Sequence, residues 1–370
     1  MAARTYQVSQ SATAEPGGPS VFVGVGGIGA GMFFRLVGNH TLGREESREG
    51  LLLDARDFCK LHIIAHYTAV FLKPDVCRVV PIGAVGDDEH GRRLMTLMRE
   101  AGLDTRLIRT VPRVPTLFSV CFQYPDGAGG NITTAASASS RVTPAQVRRV
   151  RPLLVAHCGR GVALAVPEVP LSVRLELLRW ASAYGFRRYA ALNSMEMVRP
   201  EAAGILRATD VLSLNRDEAE TLVGCRFETR SRSDFLKRLA DRLCRFQPNL
   251  HISLTLGAEG ACGYAGGVWE SVPAARVRAV SAAGAGDALM AGLIVGEAWG
   301  LPFLRPGRRR RCLTEAPLAT ALDFGVLLAS YSVLDADTIA FGAGPAELAR
   351  HAARLGLALA PDLARRLRVS

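Results

Sequence analysis

Apolar positions along the chain follow two periods, and the switches between them set out an architecture. Short β-branched runs separated by longer stretches with helical spacing recur through most of the sequence. That pattern predicts strands of a mostly parallel sheet buried between helical layers, a three-layer α/β/α arrangement. Residues 21–26 (VFVGVG) read as a first strand, 59–72 carry helical spacing, 77–86 read as the next strand and 91–102 as an amphipathic helix stopped by glycine. From 103 to 135 the pattern changes. Alternation through TLFSVCFQY and the turn-forming PDGAGG predict an antiparallel hairpin, a small β excursion suited to a lid. Strand and helix patterns then resume to about 257, a short β pair comes next in GACGYAGGVWESVPA, and long helices rich in small residues are predicted over 284–300 and 317–334. No linker or repeat divides the chain. The expected organisation is a disordered leader (1–19), one domain (20–350) with lid segments at about 29–57 and 103–135, and a C-terminal helical tail (351–370).

Composition narrows the function classes. With 370 residues, 49% hydrophobic and 21% charged, the chain can bury a large core. No apolar run reaches the ~18–20 residues of a membrane span. The leader mixes Ser, Ala, Thr, Pro and Gly without the apolar centre of a signal peptide, so a cytoplasmic protein is expected. The eight cysteines stand singly, without metal-site spacing, and read as reduced packing residues. A net charge of +11 raises nucleic acid as a partner, yet the arginines are dispersed through amphipathic segments and no binding motif accompanies them. No nucleic-acid partner is expected. The densest cluster, Arg308 to Arg311 after Pro302 and Pro306, reads as an exposed inserted loop.

The sharpest chemical signal is Gly284-Ala285-Gly286-Asp287 ahead of an apolar helix. Glycines at a helix start let backbone N–H groups converge on an anion, reinforced by the helix dipole. An Asp at that turn stands where it can take a proton from an attacking hydroxyl. The same residues also suit a plain capped helix start. Asn215 and Glu218, at a strand end opening a helix, have oxygens suited to Mg²⁺, and their spacing equally fits a capping box. Thr255-Leu256-Gly257-Ala258-Glu259-Gly260 ends a strand at the edge where α/β folds hold nucleotides.

These elements, in this order, resemble the PfkB or ribokinase-like carbohydrate kinase family over roughly residues 21–345. Ser281 to Asp287 stands against the family's D-T-x-G-A-G-D, Asn215 to Glu218 against N-x-x-E, and Thr255 to Gly260 against T-L-G-x-x-G. Gly83 to Gly91 resembles G-x-x-G-x-D-x-x-G. Pro115-Thr116 and Gly130-Asn131 resemble lid positions, and Glu168-Val169-Pro170 and Asn193 resemble mid-chain strand ends. The resemblance implies ATP-dependent phosphorylation of a hydroxyl on a sugar or sugar-like molecule. Asp287 would be the base, with the amides of Ala285, Gly286 and Asp287 holding developing charge from the Gly284 turn. Asn215 and Glu218 would place Mg²⁺, and Asn193, Thr255, Gly257 and Gly260 would serve the nucleotide. In some relatives the lid also makes a homodimer.

The departures cluster at the acceptor side. An Asp that usually binds sugar hydroxyls falls near Gly31, in a segment Gly26 to Gly31 with no carboxylate, and the usual glycine pair falls in Asp57 to His66, which has none. Ser281 and Ala282 replace the Asp and Thr that help bind a monovalent cation, which leaves potassium activation doubtful. A polar segment, Gly38 to Arg48, with Lys60, His62 and His66 near it in sequence, is expected to form a different acceptor pocket, one suited to an anionic or phosphorylated substrate. Gly29, Gly31, Asn39, Lys60, His62, His66 and Asn131 are therefore the candidate substrate residues. His62 and His66 share a helical face, although the pair is incomplete as a metal site.

Two other readings stay open. Gly24-Val25-Gly26-Gly27-Ile28-Gly29 satisfies the Rossmann G-x-G-x-x-G of NAD enzymes, which requires a helix directly afterwards. Loss of the usual sugar contacts is compatible with a non-catalytic nucleotide- or metabolite-binding protein of the same fold.

Overall fold

Strand β1 (Val21–Val25) is buried along its whole length, and the rest of the chain is laid out around it. The computed structural model describes residues 18–126, 129–229, 231–305 and 310–368. Its remaining strands are β2 (Gly29–Leu36), β3 (Gly50–Phe58), β4 (Arg78–Gly86), β5 (Ile108–Val111), β6 (Leu117–Gln123), β7 (Gly129–Thr133), β8 (Gly161–Ala165), β9 (Arg187–Ala191), β10 (Val211–Asn215), β11 (His251–Thr255), β12 (Ala261–Ala265) and β13 (Val268–Val272). Nine form the main sheet in the order β13-β12-β11-β10-β9-β8-β1-β4-β5, and four form a small sheet in the order β3-β2-β6-β7. The main sheet is parallel from β5 to β11, as buried Val- and Ala-rich strands require helical crossovers, and the β11-β12-β13 edge is antiparallel.

Segment 103–135 divides between the sheets. β5 joins the edge of the main sheet beside β4, and only β6 and β7 form the hairpin. The chain passes from β1 into a second strand rather than a helix, because Gly26, Gly27 and Ile28 lead straight into β2. The Rossmann reading loses its context there.

One face of the main sheet is covered by α1 (Lys60–Leu72), α2 (Glu89–Glu100), α6 (Ala285–Ala298) and α7 (Ala321–Ser332); the other by α3 (Leu171–Ala183), α4 (Arg216–Val223) and α5 (Arg232–Leu243). Helix α6 is apolar all round and buried from Asp287 to Gly296, the behaviour of a helix enclosed by other elements. Small residues set its depth. A Cβ on Gly292 would stand 2.5 Å from the Gly325 Cα of α7, and one on Gly296 2.7 Å from the Ala321 Cα. The C-terminal part packs closely as well: Ala360 N–H donates to the Leu318 carbonyl at 2.9 Å, and Leu363 and Leu367 are buried.

The expected arginine loop is corrected in part. Arg308 and Arg309 lie outside the described residues, as do leader residues 1–17, but Arg310 is buried. Its guanidinium reaches Glu270 at 3.0 Å and pairs with Asp323, both carboxylates being fully buried. A buried guanidinium needs such partners to offset its desolvation. Among the described residues no helix is long and apolar enough to cross a membrane.

The close approach of α6 and α7 leaves no room for a larger side chain. Gly292→Val should lower unfolding free energy by ~1–3 kcal/mol through overpacking, read as a shifted urea midpoint. An unchanged midpoint would show that the helices can separate freely.

Candidate active site

The site lies where α6 begins, at the carboxyl edge of the main sheet. Gly284 caps this helix at φ 78°, in the left-handed region that glycine adopts without penalty. A Cβ there would stand 2.5 Å from the carbonyl oxygen of Thr338, so the turn is fixed against that residue. Ala285 N–H donates to the Ala282 carbonyl at 3.3 Å and Ala288 N–H to Gly284 at 2.9 Å. Among the described residues the Gly286 and Asp287 amides have no protein acceptor, so two donors rather than three remain for an anion.

Asp287 meets Lys60, the first residue of α1, with Nζ 3.1 Å from Oδ1. The Asp287 charge beside it holds the Lys60 ammonium above the ordinary lysine range. Glu218 is buried, which raises its carboxyl above the usual range, while the charge of Lys60 acts in the opposite direction. Glu168 is raised by burial too; its backbone is held at φ 75°, and its Oε2 has no hydrogen-bond partner.

Lys60, Glu168 and Asp287 open onto a cavity of about 490 Å³ between the small sheet and the α6 turn, which Glu218 does not line. Lys60, Asn131, Gly284 and Asp287 line it among the expected residues. Lining groups that the sequence did not single out for this role include Asp57, Ser119, Cys121 and Thr338. Thr338 ties the cavity's two sides together: its hydroxyl accepts the Phe58 N–H at 2.9 Å, and its N–H donates to the Arg56 carbonyl at 3.0 Å. Arg56 is in turn held by Asp337, through its backbone N–H at 2.6 Å and Nε at 2.7 Å.

Neighbouring strand ends carry the remaining motifs. Asn215 and Thr255 are partners in the β10–β11 register, and a Cβ on Gly286 would lie 3.8 Å from the Thr255 side chain. Gly257 and Gly260 come just after, at φ 58° and 97°. Asn215 and Glu218 form the reciprocal capping box, with each side chain accepting the other's backbone N–H at 2.8 Å. Asp88 caps α2 and accepts the Thr116 hydroxyl at 2.6 Å, so the Gly83–Gly91 and Pro115-Thr116 segments meet in space.

The family model for pfkB family carbohydrate kinases matches residues 65–342. The chain belongs to this family. Its fold is ribokinase-like. The ribokinase of Giardia lamblia superposes with a TM-score of 0.71 at 18% identity, covering 90% of this chain and 99% of that one. A Cryptococcus neoformans ribokinase in complex with ADP gives 0.66 at 19%, covering 90% and 99%. A Burkholderia thailandensis nucleoside kinase in complex with inosine gives 0.64 at 15%, covering 91% and 99%.

Several expected kinase-site residues lie elsewhere. His62 and His66 do face the same way, but into the core: His62 packs on Phe58 with ring centroids 4.9 Å apart, and His66 on Phe341 at 5.1 Å. Neither ring has a hydrogen-bond partner, and neither lines the cavity. Among the described residues no group of three or more His, Cys, Asp or Glu could hold a metal ion. Asn39 sits on an exposed loop accepting the Asp126 N–H at 3.0 Å, and the polar segment around it binds itself through His40, Glu46 and Arg48. Asn193 caps a short helix with Glu196 and lines a different cavity, of about 650 Å³. Gly29 packs beneath Leu117 and Gly31 beneath Asp57, so both are spacers. Aliphatic spacing alone could not separate a histidine facing the core from one facing the cavity.

Burial drives His62 down to about 3 and His66 to about 4, each from an ordinary 6.5. The unfolded chain therefore binds protons that the folded chain refuses. Stability is fully present above about pH 6.5 and declines as pH falls toward those values. His62→Leu should lose less stability than the parent between about pH 7 and pH 5, a difference on the order of 1–2 kcal/mol. Chemical denaturation at several pH values measures it; parallel pH slopes would refute a neutral buried imidazole.

Proposed function

We propose that this family member is an ATP-dependent kinase that transfers the γ-phosphoryl group to a hydroxyl of a sugar or sugar-like small molecule, with Asp287 as general base. The observation that carries this reading is the position of Asp287: first turn of α6, 3.1 Å from Lys60, on the wall of a cavity roofed by the small sheet. A hydroxyl in that cavity would give its proton to Asp287. Its oxygen would bond to the γ-phosphorus as the bond to the bridging oxygen of ADP breaks. The free amides of Gly286 and Asp287 would receive the charge that gathers on the transferring group, aided by the positive end of the helix. Lys60 is a compact cation on a flexible stem, able to neutralise Asp287 before reaction and phosphoryl oxygens during it.

The nucleotide would lie toward Thr255, Gly257 and Gly260, where the strand ends leave backbone rather than side chains. The donor set fits Mg²⁺ only as a lightly held ion. Asn215 and Glu218 each spend an oxygen on the other's amide, so Glu218 would help to hold a metal that keeps waters and phosphates as its other ligands. Bound there, Mg²⁺ would neutralise phosphate charge. For a monovalent cation the replacement residues offer little: the Ser281 hydroxyl already accepts the Ala283 N–H at 3.3 Å, and Ala282 has no polar side chain. This reading implies a cytoplasmic enzyme acting on a small molecule. A homodimer formed through the lid would cover Leu51, Leu52 and Ile132, which are exposed on the small sheet.

Acceptor-dependent ADP release from ATP and Mg²⁺ across sugars, sugar acids, sugar phosphates and nucleosides tests the proposal. General-base removal costs ~10²–10⁴-fold, so Asp287→Ala should cut turnover by at least that lower bound while its melting temperature stays near the parent's. Silence across the panel, with ATP still raising the melting temperature, would favour a non-catalytic binder instead.

A further inference from the structure

Resting on that kinase reading, we propose that Asp57, reaching in from β3, is the side chain that binds the acceptor's neighbouring hydroxyls, and that the acceptor is an uncharged polyol. Gly31 on β2 and Asp57 on β3 are directly paired across the small sheet. A Cβ on Gly31 would stand 2.7 Å from Asp57 Oδ2 and 2.7 Å from the Ser119 carbonyl. The room that a side chain on β2 would need is thus filled by a carboxyl group from the opposite strand.

Asp57 is held by side chains of β6. Its Oδ2 accepts the Ser119 hydroxyl at 3.1 Å and the Cys121 thiol at 3.3 Å. Among the described residues no side-chain donor reaches Oδ1, and no cation pairs with the group. Ser119, Cys121 and Asp57 all line the cavity that holds Asp287. Burial raises the Asp57 carboxyl above its ordinary range, opposed by hydrogen bonds from Cys121, Ser119 and the Phe58 N–H and reinforced by the Asp287 charge. Hydroxyl groups, which both donate and accept, satisfy such a carboxyl in either protonation state.

The charges in the cavity specify the ligand's class. Its acidic lining residues are Asp54, Asp57, Glu168 and Asp287; its basic ones are Arg35 and Lys60, and Lys60 is already paired with Asp287. The histidines and the polar Gly38–Arg48 segment, which would have favoured an anion, contribute no cation to this wall. A second acceptor is waiting nearby, since Glu168 Oε2 is shielded from solvent without a partner and its backbone is strained. Carboxyl oxygens without donors call for ligand O–H groups; a phosphate would meet like charge.

The test uses the full-length chain with D-ribose, D-fructose and inosine as neutral probes, and ribose 5-phosphate and fructose 6-phosphate as anionic ones. Turnover and melting shifts are both read. At least one neutral probe should be phosphorylated with kcat/KM tenfold or more above its anionic counterpart. Asp57→Asn and Asp57→Ala should raise the KM for that probe at least tenfold, leaving the ATP-induced melting shift unchanged and lowering kcat far less than Asp287→Ala does. Gly31→Ala, which retains Asp57 but presses a methyl on it, should raise the same KM, and serves if the Asp57 variants do not fold. An unaltered KM in the Asp57 variants, or preference for a phosphorylated probe, would overturn the proposal. If no probe yields ADP, the kinase reading fails separately. A melting shift by a neutral probe that disappears in Asp57→Asn would still uphold the binding role, and absence of any such shift would end it.

Discussion

Helix α6 has to be buried on every side, and that constraint governs the molecule. Its sequence offers no polar face to water, so α1, α7 and the main sheet must all close against it. Gly292, Gly296 and Gly325 let the backbones come near enough to exclude voids. Once the helix is seated this deeply, its first turn cannot wander. Gly284, the free amides of Gly286 and Asp287, and the Asp287 carboxyl inherit a fixed position at the sheet's carboxyl edge. Preorganisation of that kind is what a site for developing negative charge requires.

Around that turn the balance of charge is unfavourable to folding. Asp57, Glu168, Glu218 and Asp287 are gathered near Lys60, and burial raises the carboxyls of Asp57, Glu168 and Glu218. Such a cluster would not be selected for stability, since partly paired buried charges cost more than apolar residues of the same size. The core compensates elsewhere. Even the histidines of α1, which look chemically versatile in sequence, are used as aromatic packing against Phe58 and Phe341.

The parts of the site legible in sequence are the local ones. Gly284 to Asp287, Asn215 to Glu218 and Thr255 to Gly260 are each short enough for one turn to set their geometry, and all three meet at neighbouring strand ends. The layered α/β fold was likewise legible, because strands buried on both faces leave continuous apolar runs. The acceptor wall was not. Asp57 lies far from Ser119, Cys121 and Asp287 along the chain, and only strand register brings it beside Gly31. Reading positions one by one, a glycine in place of a carboxylate looks like a loss; in three dimensions a carboxyl group from the adjoining strand occupies the space beside that glycine. Local proximity also misled: His62 and His66 are close to Lys60 in sequence, yet helical rotation turns them into the core. Arg310 shows the same limit, since nothing in a run of arginines announces that one of them will pair with Glu270 and Asp323.

Thr338 gives the arrangement a further consequence. One residue packs its carbonyl close against the glycine of the α6 turn and holds strand β3 through its hydroxyl and N–H, with Arg56 and Asp337 bracing the join. The small-sheet side and the helix-turn side of the cavity are therefore joined through one residue. Any displacement of β3 and any displacement of the Gly284 turn would bear on that same residue. By thermodynamic reciprocity, any preference one substrate acquires from the presence of the other must be returned in equal measure.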